Sequence, residues 1–388
     1  MCARIGAFAS SDSARDDDIA VNATVVGERP TGLGVYTMRL ITALDRLGER
    51  LTVFTSRPDA IEAPRSRVEQ VTSATRPERG ARGHLRRLLW TQTGLRFALR
   101  ARPARALLNP VAEGLIGARI PQVTVIHDVL PLRYPAEYRL QQPYLRHYVP
   151  RVLASSAAVV VNSECTRRDV LGVYRLPPDK VHVALCGFDE RRFFPDPADA
   201  ARQTDPYALF VGNVMPHKNL ARLVEAFAAA RARRPFRLVI RGGGRPEHVS
   251  ALRARIDALG IGAHVDWQPW AGDDELLTLY RGARMLVLPS LYEGFGLPAL
   301  EAMACGTPVI VSNVASLPEV VGDAAVFVDP EDVGSISAAM ARLLSDDALA
   351  KELRARGLTR ARSFSWERTA RQVEAVLRAV TGQERQRL

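Results

Sequence analysis

Met285-Leu-Val-Leu-Pro-Ser-Leu-Tyr-Glu-Gly-Phe-Gly-Leu-Pro-Ala-Leu-Glu301 passes from an apolar run through a glycine-rich turn into a helical pattern. Met285 to Leu288 is short and wholly apolar, as a strand covered on both faces of a parallel sheet should be. Gly294, Gly296 and Pro298 punctuate the change from strand to helix. Glycines let a backbone come close to a ligand and adopt positive φ, and the free N–H groups of a first helical turn point at any anion above them. The N–H groups of Phe295, Gly296 and Leu297, with Gly294 before them, are therefore expected to bind phosphate.

Two acids frame this turn. Glu293 lies before the helix, facing the ligand, and Glu301 lies about one turn (~5.4 Å) inside a helix that begins near Leu297. Helical side chains lean toward the N-terminus, so Glu301 reaches back past the phosphate-binding end, where a carboxylate suits a ribose diol. Glu293 suits the hydroxyls of a second sugar. Most glutamates are solvated surface residues. Here Leu300, Ala302, Met303, Ala304 and Pro308 to Val311 are apolar almost throughout, so Glu301 is expected on a largely buried helix, where an unpartnered charge is costly.

The segment Glu293-Gly-Phe-Gly-Leu-Pro-Ala-Leu-Glu-Ala-Met-Ala-Cys-Gly-Thr-Pro-Val-Ile310 resembles the E-x7-E signature of retaining glycosyltransferases of the GT-B fold, family 4. From Ile19 the resemblance covers nearly the whole chain. It implies an α/β architecture of two Rossmann-like domains whose parallel sheets face across a cleft. It also implies transfer of a hexose from a nucleoside-diphosphate sugar, with retention of configuration.

Other segments take roles beside this resemblance. Thr31-Gly-Leu-Gly34 follows the first strand, and its N–H groups can approach a phosphate or a sugar ring; there is no full GxGxxG, because Tyr36 and Thr37 follow. The resemblance places Gly32 and Gly34 in donor binding. Val125-Ile-His-Asp128 ends a strand at the sheet edge where ligands bind in open α/β sheets. By resemblance His127 faces the donor sugar near the reacting carbon, as Glu293 does. Asp128 and Pro131 are similar to the His-Asp-x-x-Pro form of mannosyltransferase-like members. Lys218, in Gly212-Asn-Val-Met-Pro-His-Lys218, is expected at a helix N-terminus, an awkward place for a cation unless an anion binds there. The family commonly has an arginine where Asn213 stands, so one phosphate-binding cation is missing, and Arg241 at the end of the next strand is a candidate replacement. Trp267-Gln-Pro-Trp270 corresponds to the loop that holds the nucleobase in the family; stacking and core packing both stand as readings of its aromatic residues.

The chain has 388 residues, fifty arginines and three lysines (Lys180, Lys218, Lys351), and a net charge of +11. That length suits two domains, each able to bury a core. No run reaches about 18 apolar residues, and the N-terminal stretch lacks a signal-peptide apolar region, so a cytoplasmic location is expected. Four scattered cysteines show no metal-ligand or disulfide spacing. No Asp-x-Asp occurs in a suitable loop, so neither a metal nor another cofactor is expected. Arg76 to Arg105 carries nine arginines and one acid, interleaved with Leu85, Leu88, Leu89, Trp90, Leu95, Phe97 and Leu99. This spacing suggests an amphipathic helix whose cationic face meets an anionic membrane surface, or an ordinary helix with arginines on its wet side. No nucleic-acid-binding motif accompanies the charge.

Alternating strand and helix patterns imply parallel, doubly wound sheets. Residues 1–18 read as a flexible extension and 19–200 as an acceptor-side domain. Pro195 to Pro206 reads as a linker, 201–364 as a nucleotide-sugar domain, and 365–388 as a helix that returns to the first domain by resemblance. The leading expectation is a hexosyltransferase using a GDP-sugar, mannose-like, toward a glycan or lipid-linked acceptor in polysaccharide synthesis. The rivals are UDP-sugar dependence, a phosphorylase, synthase or hydrolase on the same fold, and a non-catalytic lipid- or nucleic-acid-binding protein. A hydrolase would need its two carboxylates on opposite sides of the scissile bond, which a ribose-facing Glu301 does not provide.

Overall fold

The computed structural model describes residues 18–28, 32–196, 205–269 and 272–382. The proposed extension, apart from Asp18, lies outside these residues, as do most of the expected linker, Thr31 and Trp270.

Seven strands form the first sheet: β1 (Ile19–Asn22), β2 (Leu51–Thr55), β3 (Arg67–Gln70), β4 (Ala106–Asn109), β5 (Gln122–Ile126), β6 (Ala158–Val161) and β7 (Val181–Val183). Their order is β3-β2-β1-β4-β5-β6-β7. The second sheet holds β8 (Tyr207–Val211), β9 (Arg237–Arg241), β10 (Val265–Gln268), β11 (Met285–Leu288), β12 (Val309–Ser312) and β13 (Ala325–Val328), in the order β10-β9-β8-β11-β12-β13. β1 runs parallel to β2 and β4, and β8 runs parallel to β9 and β11. Every residue of β11 is fully buried, which is why its sequence is continuously apolar rather than alternating. In such sheets ligands bind beyond the C-terminal strand ends where the order reverses, and in the second sheet that place lies between β8 and β11.

The connecting helices are α1 (Gly32–Arg46), α2 (Gly80–Trp90), α3 (Arg96–Ala101), α4 (Leu130–Arg133), α5 (Val149–Ala154) and α6 (Glu164–Tyr174) in the first half. In the second half they are α7 (Leu220–Arg231), α8 (Pro246–Ala258), α9 (Asp273–Gly282), α10 (Leu297–Ala304), α11 (Leu317–Val321), α12 (Val333–Ser345), α13 (Asp347–Ala361) and α14 (Trp366–Thr381). Asp346 accepts a hydrogen bond from Leu349 N and so starts α13. This cap separates α13 from α12, which ends one residue before it at Ser345.

The described residues condense into two compact units, whose bounds in the chain are as follows. One comprises Met1–Val125, Pro143–Val159 and Val373–Leu388; the other comprises Ile126–Gln142 and Val160–Gln372. The loop after β5, helix α6 and the second sheet therefore belong to the same unit.

The arginine-rich segment is a composite: α2, a π-helical turn at Thr91–Leu95, then α3. Its inner face packs Trp90, Ala98 and Leu99 on a core of Phe54, Leu95, Leu107 and Leu115. Arg87 does not lie on a wet face. It is buried, with Nε 2.9 Å from Glu113 Oε2 and Nη2 3.0 Å from Oε1. Burial opposes the Glu113 charge, but the hydrogen bond from His84 and the Arg87 guanidinium outweigh it and hold the carboxyl below its usual range. The outer face shows Leu85, Leu89 and Phe97, which are 68%, 62% and 72% exposed, beside exposed Arg82, Arg86 and Arg100. Among the described residues no helix is long and apolar enough to cross a membrane.

Candidate active site

Two loops meet at the reversal point of the second sheet. The loop after β8 carries a short 3-10 turn, Pro216–Lys218, and the loop after β11 carries Glu293. Asn219, at φ 62°, ends the 3-10 turn in a left-handed conformation that asparagine tolerates. Its Nδ2 donates to Pro289 O at 2.9 Å and Pro330 O at 2.6 Å, and Leu291 N donates to His217 O at 2.7 Å. These bonds bring Lys218 Nζ to 2.7 and 2.8 Å from the two oxygens of Glu293. Ser290 Oγ donates to Glu293 Oε1 at 2.8 Å. Both charges are largely desolvated, so each depends on the other: removing one partner of such a pair typically costs about 3–5 kcal/mol. Sequence alone gives Lys218 and Glu293 separate duties; the fold joins them in one ion pair.

His127 and Asp128 approach the same turn from the end of β5. A Cβ at Gly294 would stand 2.6 Å from His127 O and 2.9 Å from Asp128 Cβ, so only glycine permits this contact. Asp128 Oδ1 accepts from Leu130 N at 2.9 Å. Burial, and then the nearby Glu293 charge, push its carboxyl above the usual range. Gly296, at φ 104°, turns the chain into α10, and its left-handed conformation is another that glycine supplies without strain.

Glu301 sits on α10, whose Ala299, Leu300, Ala302, Met303 and Ala304 are buried. The Tyr280 hydroxyl donates to Glu301 Oε2 at 2.8 Å. Burial and the Glu301 charge raise the Tyr280 phenol well above its ordinary value, so the pair is a neutral donor on a carboxylate. Tyr280 was missed because it lies 21 residues away on another helix, and a lone tyrosine in a helical pattern signals only core.

Arg241 does not stand as the substitute cation. It is buried, with Nε 3.0 Å from Glu275 Oε1, Nη2 2.9 Å from Asp266 Oδ2, and Nη1 on the carbonyls of Ile240 and Asp266. Two carboxylates neutralise it. Asn213 is exposed just beyond β8. Trp267 donates to Gly242 O at 2.9 Å and lies under Arg253, which favours packing at that position. Gly32 and Gly34 belong to the other unit, at the first turn of α1; Gly32 is exposed and Gly34 buried. Among the described residues no group of three or more His, Cys, Asp or Glu could hold a metal.

Residues 195–360 match the family model described as Glycosyl transferases group 1, and residues 30–192 match that described as Glycosyltransferase Family 4. The chain is 34% identical over 258 residues to the O-antigen chain mannosyltransferase B of Escherichia coli, covering 63% of this chain and 67% of that protein. It is 30% identical over 382 residues to the D-inositol 3-phosphate glycosyltransferase of Jonesia denitrificans, covering 89% and 90% of the two chains. Among solved structures, a sucrose-phosphate synthase from Thermosynechococcus elongatus matches 95% of this chain and 100% of its own, with a TM-score of 0.77 at 23% identity, a likeness of fold. With both of its sheets parallel, two such models matched in succession and a relative similar over 89% of the chain, the chain belongs to glycosyltransferase family 4, on the GT-B fold.

Proposed function

We propose that this glycosyltransferase moves a mannose-like hexose from a GDP-sugar to a glycan or lipid-linked acceptor during cell-surface polysaccharide synthesis. The observation that carries the reading is the Lys218–Glu293 pair beside the Gly294–Leu297 turn. A diphosphate leaving group needs its departing charge stabilised and its sugar oriented. Lys218 and the N–H groups of the turn serve the first need without a metal, and Glu293 with His127 serves the second. Glu301, steadied by Tyr280, holds the ribose. The mannosyl choice rests on similarity to the O-antigen mannosyltransferase, a protein that this chain matches over 67% of its length.

The test is slow donor hydrolysis followed by NMR with GDP-mannose and UDP-glucose, in buffer with and without EDTA. The expected outcome is GDP release, an α-sugar as the first product from an α-linked donor, and no effect of EDTA. Release of UDP alone moves the base assignment to uridine, and an inverted first product refutes retention.

The outer stripe of α2 and α3, with Leu85, Leu89 and Phe97 between Arg82, Arg86 and Arg100, fits the interface of an anionic bilayer, apolar groups inserted and guanidinium groups among headgroups. This would hold the enzyme at the inner face of the membrane, near a lipid-linked acceptor.

A further inference from the structure

Ser316 occupies the N-cap position of α11 yet does not cap it. Serine there ordinarily accepts from the N–H of the second or third helical residue. Instead the Ser316 hydroxyl, fully buried, lies 2.8 Å from Glu293 O and 2.9 Å from Phe295 O, and its one proton serves both carbonyls. The residue before it, Ala315, is held at φ 57°, a conformation that costs a non-glycine residue roughly 1–2 kcal/mol. That turn of the backbone leads directly into Ser316. Between the two carbonyls, Gly294 O accepts from Ser163 Oγ at 2.9 Å and from Thr166 Oγ1 at 3.2 Å, and both of these side chains are fully buried at the start of α6. Three successive carbonyls of the turn are thus held by hydroxyls from two different helices.

Peptide planarity gives these bonds a second effect. No peptide bond here is cis, so the N–H of each residue points opposite to the carbonyl before it. Holding the carbonyls of Glu293 and Phe295 on one hydroxyl fixes both peptide planes, with the N–H groups of Gly294 and Gly296 on the side opposite each bonded carbonyl. Among the described residues neither N–H has a hydrogen-bond acceptor. Unpaired N–H groups in a glycine turn that leads into a helix are the donors an anion takes. We infer that Ser316 is a positioning residue of the donor site: it aligns the Gly294 and Gly296 N–H groups so that both meet the diphosphate, with Ser163 fixing the peptide between them. The inference rests on the donor-site reading above.

The experiment is calorimetric titration of GDP, UDP, GMP and UMP against the wild type, Ser316→Ala, Ser316→Thr and Lys218→Ala, with kcat and KM for donor hydrolysis. Loss of one preorganised donor pair should weaken the diphosphate that the wild type binds by about tenfold in Ser316→Ala and lower kcat by a similar factor. The matching monophosphate should bind as before, and Ser316→Thr, which keeps the hydroxyl, should recover most of the loss. A merely structural serine would shift both nucleotides together. If Ser316→Ala binds diphosphate like the wild type while Lys218→Ala does not, the inference is wrong and the donor site stands. If the wild type binds no diphosphate, both fall.

Discussion

His217 is 3% exposed, and its Nδ1 has no protein partner among the described residues. Burial, and then the adjacent Lys218 charge, lower its pKa to about 4. The unfolded chain takes up a proton near the ordinary value of about 6.5, whereas the folded chain resists it until about pH 4. The unfolded state therefore binds more protons between these values, and stability falls as pH drops through that window, by up to about 3 kcal/mol. Urea midpoints at pH 7 and pH 4.5 should separate more in the wild type than in His217→Gln; equal separations would contradict the buried, neutral imidazole. The neighbouring ion pair makes a different demand. Glu293→Ala strands the Lys218 ammonium and should cost about 3 kcal/mol, whereas Lys218→Met combined with Glu293→Leu should recover that stability and remain inactive. Activity in the double variant would mean that the pair serves only the fold.

At the scale of elements, the turn between β11 and α10 depends on Gly294. Adding one methyl there drives it into the His127 carbonyl, which is backbone and cannot swing aside. Overpacking of this kind costs about 1–3 kcal/mol, and because the collision separates the His127 and Glu293 loops, Gly294→Ala should lose donor turnover out of proportion to its fall in Tm. The α2–α3 stripe is tested separately. Wild-type protein should co-float with vesicles rich in phosphatidylglycerol and not with neutral ones, and Leu85→Glu with Leu89→Glu should reduce co-flotation at least tenfold while sparing hydrolysis of soluble donor. Unchanged flotation would assign the stripe to another use. These elements also show where sequence reading ends. β11 is legible to the residue because its apolar run, Met285 to Leu288, stops at Pro289 and Ser290. The segment from Arg76 to Arg105 is legible as amphipathic, but not its π-helical turn or the inward Arg87, whose partner Glu113 lies 26 residues on. The partners of Arg241, the candidate replacement cation, are hidden for the same reason: Asp266 and Glu275 come from a neighbouring strand and helix.

For the whole molecule, the repeated strand-helix alternation was enough to imply two parallel sheets, and both are present. The place of the candidate site is legible in the same way, since Lys218 and Glu293 each stand just beyond a strand end and β8 and β11 are neighbours at the reversal of strand order. What the linear order concealed was the support. Ser163 and Ser316 act through backbone carbonyls 131 and 23 residues away, and Tyr280 through a carboxylate 21 residues away, so no local pattern marks them; Ser290 lies only three residues from Glu293. The claim on which the function depends is that Glu293, Lys218 and Glu301 form a sugar-nucleotide site. A thermal-shift panel of GDP-, UDP-, ADP- and dTDP-sugars against the wild type and Glu293→Ala tests it most directly. One class of sugar nucleotide, GDP-linked on this account, should raise the wild-type Tm and lose most of that effect in Glu293→Ala. No stabilisation of the wild type by any of the four, or an equal shift in the variant, would contradict it.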